Sequence, residues 1–160
     1  MGANELSMLL WRERELLEML VFKLEEQELL LAAGRSRWTK FATREIEQVL
    51  EGLREAGLAR IVEAETVAAE WGAPEGAGIR DLIDTAPTAA WREVLTGHLH
   101  ALTQLTDEIG RLRDGNTERL RAVMRATQET LAGLGETTGE YTTQGDRARG
   151  DSARIIDTEM

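Results

Sequence analysis

Cysteine is absent from the 160 residues, so the chain holds no disulfide, no thiolate nucleophile and no cysteine-based zinc or iron–sulfur site. Proline occurs only at Pro74 and Pro87, both mid-chain, which leaves residues 1–73 and 88–160 free of the strongest helix breaker. Aromatic residues make up 4% of the chain, and Tyr141 is its sole tyrosine. The longest purely apolar run, Leu29 to Ala33, falls far short of the roughly 20 residues that span a bilayer. The first twenty residues carry Arg12, Glu13, Arg14, Glu15 and Glu18, and so lack the apolar stretch of a secretory signal. A cytoplasmic protein is expected. Basic residues are outnumbered, 19 Lys and Arg against 29 Asp and Glu, giving a net charge of -10. That surface repels a phosphate backbone, and nucleic acid is not an expected partner.

What is present forms helices: the chain is rich in Leu, Ala, Glu and Arg, and an all-α protein is expected. Apolar residues recur at Leu6, Leu9/Leu10, Leu16/Leu17, Leu20, Leu24 and Leu30/Leu31, the 3 and 4 spacing of a stripe on one helix face. With Asn4 as N-cap and Gly34 at the left-handed position after the end, this predicts a first helix over about 4–33. A second stripe through Trp38, Phe41, Ile46, Val49/Leu50, Leu53, Ile61, Ala64, Val67/Ala68 and Trp71 predicts a helix over about 36–71. So short a connection makes the two an antiparallel hairpin. Residues 79–85, between glycine-rich and proline breaks, have room for a short helix that serves as a lid or spacer.

From about 88 to 134 a third periodic stretch runs through Trp91, Leu95, Leu99, Leu102, Leu105, Ile109, Leu112, Leu120, Val123/Met124, Leu131 and Leu134, with Asn116 on the stripe. About 46 residues at 1.5 Å each reach roughly 70 Å, whereas the hairpin helices reach only about 45 to 52 Å. Met124, Leu131 and Leu134 are therefore expected to extend beyond any internal partner, and an uncovered apolar surface marks a protein-binding site. A bend back at Gly110 or Gly115 is the competing arrangement. The expected architecture is thus an elongated antiparallel hairpin plus a long third helix, a three-helix coiled-coil-like bundle over 1–134. A flexible C-terminal tail follows over 135–160, rich in Gly and Thr, in which Tyr141 is a candidate anchor.

Catalytic constellations are missing. His98 and His100, two residues apart on a helix, point to different faces and cannot share a metal. Runs such as Arg12-Glu13-Arg14-Glu15 are solvated helix faces far more often than paired acids. No phosphate-binding glycine loop or nucleophile elbow occurs. No enzyme, metal or cofactor is expected. The tryptophans Trp11, Trp71 and Trp91 should converge at one end of the bundle and Trp38 at the other.

The run Leu112-Arg113-Asp114-Gly115-Asn116, then Leu120, then Thr130-Leu131-Ala132-Gly133-Leu134, then Tyr141-Thr142-Thr143-Gln144-Gly145 resembles the FlgN-type export chaperones of the bacterial flagellum. It is similar to that family's L-x-x-x-N-G-x-x-L helix followed by a tail Y-x-x-x-G. The stretch from Asn4 to Leu31 also resembles actinobacterial members, so the likeness covers nearly the whole chain. Two positions depart from the pattern: Thr117 stands where the family has glycine, and Arg113 where it often has asparagine. The resemblance implies a cytosolic chaperone without ATPase activity. It would hold the C-terminal helical segments of hook-filament junction proteins of the FlgK and FlgL type unassembled and deliver them to the flagellar type III export gate. Carried over by position, Asn116, Leu120, Val123, Met124, Leu131 and Leu134 hold the client, and Tyr141 contacts the gate. The alternative is a coiled-coil adaptor whose stripes close on a second copy, with no client.

Overall fold

The computed structural model describes the backbone of residues 2–156 and the side chains of residues 2–136. The described residues form four helices and no strand: α1 (Ala3–Ala32), α2 (Ser36–Trp71), α3 (Ile79–Thr85) and α4 (Ala89–Ile156). The fold is all-α. The chain divides into two units, Met1–Thr117 and Glu118–Met160, and α4 continues from the first into the second.

In the first unit α1 buries Leu6, Leu10, Glu13, Leu20, Leu24, Gln27 and Leu31, a stripe at helical spacing. Asn4 is not its cap. The helix begins one residue earlier, with Gly2 at the cap position (φ 79°) and its carbonyl accepting from the Leu6 N–H at 2.8 Å. The left-handed angle of Gly2 suits a residue without a side chain, and a Cβ there would also lie 2.8 Å from the Glu70 carboxylate of α2. At the other end, Gly34 (φ 65°) donates to Leu31 O and Arg35 donates to Leu30 O, the two crossed bonds of a Schellman turn.

That turn returns α2 antiparallel to α1. Arg60 Nε donates to Glu13 Oε1 at 3.0 Å, and Lys23 Nζ donates to Glu45 Oε2 at 2.8 Å. The Lys23 bond raises the ammonium pKa and lowers that of the Glu45 carboxyl. Between these pairs Gly52 of α2 faces Leu16 of α1, and a Cβ there would sit 3.4 Å from Leu16 Cδ2, in van der Waals contact.

Gly72 (φ 70°) ends α2, and Ala73 and Pro74 follow. The seven residues of α3 are far too few for a helix that stands alone in water. The Asp81 carboxylate accepts from the Gly78 N–H at 2.9 Å, and Leu82, fully buried, plugs a core of Leu6, Leu10, Ala64, Val67, Ala68 and Leu95. Burying such a leucine contributes about 2 kcal/mol, so tertiary packing holds this short element. Thr88 then caps α4, its hydroxyl accepting from the Trp91 N–H at 3.2 Å.

Contacts between α1 and α4 advance together, from Ser7 with His98 to Leu24 and Gln27 with Asn116, so α4 runs parallel to α1 and antiparallel to α2 in this unit. Helical backbone continues through Gly110 and Gly115, and neither is a turn. The periodicity ends the last helix near residue 134, whereas α4 extends to Ile156. Residues 135–156 contain glycines but no proline, so the stretch lacks a strict breaker. Of the tryptophans, Trp71 and Trp91 meet as expected, with ring centroids 6.2 Å apart, while Trp11 packs T-shaped with the His98 ring at 5.3 Å and Trp38 lies against Phe41.

Candidate functional site

The residues carried over as client contacts fall into two environments. Asn116 lies in the first unit and is only 2% exposed. Its Nδ2 donates to the Leu24 carbonyl at 2.8 Å and to Gln27 Oε1 at 3.1 Å. Gln27 in turn reaches the Thr43 hydroxyl of α2, with its Nε2 at 3.5 Å. The amide therefore sits in a polar layer that crosses all three long helices. A buried layer of this kind fixes helix register, because any slip leaves its donors and acceptors unpaired. The periodicity placed Asn116 on the stripe; it did not reveal Gln27 as its partner.

A second buried polar group lies nearer the start of α4. His98 is 2% exposed, and its Nε2 is 3.1 Å from the Ser7 hydroxyl. Nδ1 is buried with no hydrogen-bond partner among the described residues. A neutral ring leaves at most one nitrogen unsatisfied there, whereas an imidazolium would bury a second N–H with nothing to accept it. Burial, and then the nearby Arg14 charge, lower the His98 pKa. His100 is exposed, on a different face. Ser7 and His98 have no carboxylate to orient them, and among the described residues no group of three His, Asp or Glu side chains is placed to hold a metal ion.

The second unit is of another kind. Leu120 is half-buried, and every described side chain from Arg121 to Glu136 is exposed. Met124 is 62% exposed, Leu131 63% and Leu134 60%, with Val123 exposed beside them. At 3.6 residues per turn these five positions fall within an arc of about 100°, so they form one apolar face roughly 21 Å long. Large apolar side chains aligned on one exposed face, with arginines and glutamates elsewhere on the helix, suit the apolar face of a partner helix. Tyr141 lies outside the residues whose side chains are described.

The described residues thus give an all-helical protein with a buried polar layer and one exposed apolar helix face. Among the described residues no helix is long and apolar enough to cross a membrane. The chain matches the family model for FlgN protein over residues 1–149 and belongs to the FlgN family. FlgN proteins are flagellar export chaperones, a chaperone family and not an enzyme family. No curated protein and no solved structure matches the chain.

Proposed function

We propose that this FlgN protein acts in the cytoplasm on hook-filament junction proteins of the FlgK and FlgL type. It covers their C-terminal helical segments until the flagellar type III export gate receives them. The supporting observation is the apolar face formed by the exposed Val123, Met124, Leu131 and Leu134, with the half-buried Leu120 at its start. A client amphipathic helix laid along it exchanges its own apolar stripe from water, or from premature assembly, to the chaperone. Asn116, buried in the bundle, contributes by holding α4 against α1. Tyr141 serves the later step, contact with the gate.

The test is co-purification of a junction protein with the chain carrying Leu131→Asp and Leu134→Asp. Both leucines are exposed, so the fold should survive the change. Client affinity should fall by about a hundredfold or more, the equivalent of two leucines denied burial. Undiminished capture would remove the client site, while Tyr141→Ala should keep the client and lose the gate.

A further inference from the structure

From Leu29 to Arg44, around the turn that joins α1 to α2, the chain carries Arg35, Arg37, Lys40 and Arg44 and no acid, although its net charge is -10. All four cations are exposed, and among the described residues none is held in an ion pair. Helix stability does not account for them. Arg35 takes the N-cap position of α2 and Arg37 lies in its first turn, which holds no acid, although the helix dipole favours acids there and disfavours cations. Two rings stand among these charges: Trp38 is 43% exposed and Phe41 45%, with centroids 5.8 Å apart. Each ring has its own cation, the Arg37 guanidinium 4.7 Å from Trp38 and the Lys40 ammonium 5.0 Å from Phe41. By helical register Arg37, Lys40 and Arg44 lie on the side of α2 away from the buried Ala42, with Phe41 beside them. The run ends at Glu45, whose carboxylate Lys23 already holds at 2.8 Å.

We propose that this turn docks the chain on the surface of a bilayer rich in anionic lipid. Aromatic rings settle at the boundary between headgroups and acyl chains, and the cations beside them reach the lipid phosphates. An acidic peptide satisfies the charges; a bilayer satisfies the charges and, just below them, the rings. The net charge of -10 opposes any wider attraction, so the contact is local. No residue is shared with the proposed client face. Leu131→Asp with Leu134→Asp should therefore leave lipid binding intact, and the two readings fail separately.

Vesicle flotation of the full-length chain tests the proposal. The chain should float with vesicles that mix phosphatidylglycerol into phosphatidylcholine but not with phosphatidylcholine alone, and added salt should weaken the binding. Arg37→Glu with Lys40→Glu should reduce affinity about thirtyfold or more, and the fold should survive because acids suit the start of a helix. The same reversal at Arg121 and Arg125 should change it little. Mixed vesicles should also move tryptophan emission to shorter wavelength, and Trp38→Phe should abolish that move although Trp11, Trp71 and Trp91 remain. No flotation with the mixed vesicles would overturn the proposal. So would an equal loss on reversing Arg121 and Arg125, an emission shift that survives Trp38→Phe, or binding to polyglutamate or an oligonucleotide with none to the vesicles.

Discussion

Asn116 offers the most direct test of how the bundle is held. Asn116→Ala deletes two hydrogen bonds worth about 1 kcal/mol each, and strands the Oε1 of Gln27, a residue only 6% exposed, without its donor. With the small gap left between α1 and α4, the loss should total about 3 kcal/mol, a large share of the stability of any single domain. Asn116→Asp preserves the size but turns the donor into a third acceptor facing Leu24 O and Gln27 Oε1, at a cost of about 3–5 kcal/mol while ionised. Protonating that carboxyl supplies a donor again, so this variant should recover relative to the native protein as the pH is lowered. Asn116→Leu fills the space yet leaves Gln27 unpaired, and should lie between the native chain and Ala. Urea unfolding of the full chain, followed by far-ultraviolet circular dichroism at pH 7.5, should order the midpoints native, Leu, Ala, Asp. An Asp variant within about 0.5 kcal/mol of the native chain would refute the polar-layer account, since a buried charge cannot be that cheap without its donor.

Two further outcomes follow from the buried imidazole and from an open position on α4. The His98 pKa lies below its ordinary value near 6.5, so the unfolded chain takes up that proton first. Stability should be level above about pH 6.5 and fall as the pH drops below it, and His98→Gln should flatten that part of the urea-midpoint profile. Gly110 sits inside α4, and beyond its own turn of helix nothing described lies within 4 Å of where a Cβ would go. Gly110→Ala should therefore stabilise the chain by up to about 1 kcal/mol in the same assay; a loss would mean that the bundle needs a glycine there.

The helices were legible because leucine spacing reports a buried face directly, and Gly34 after α1 adopts the left-handed angle its position implied. Of the polar layers only Asn116 was placed on a stripe, because counting apolar residues skips most stripe positions that are polar. Positions 6, 10, 13, 17, 20, 24, 27 and 31 alternate fours and threes without a break, and Glu13 and Gln27 occupy two of them. His98 and Asn116 do the same in the series Trp91, Leu95, His98, Leu102, Leu105, Ile109, Leu112, Asn116. Polar residues on core positions cost stability and return a unique register, so they carry information that hydropathy discards.

Periodicity has a second blind spot: it tells which face is apolar, not what covers it. Leu112 and Leu131 both belong to the apolar stripe of α4, yet one is half-buried and the other exposed. What does change in the sequence is the step itself. From Leu112 to Asn116 to Leu120 the spacing is four and then four again, an interruption of the heptad that alters the local winding of a packed helix. The division between the two units falls at Thr117 and Glu118, within that double step. The boundary between a stripe that the fold buries and a stripe that it leaves exposed is thus written in a buried asparagine and a skipped beat, where the leucines on either side look alike.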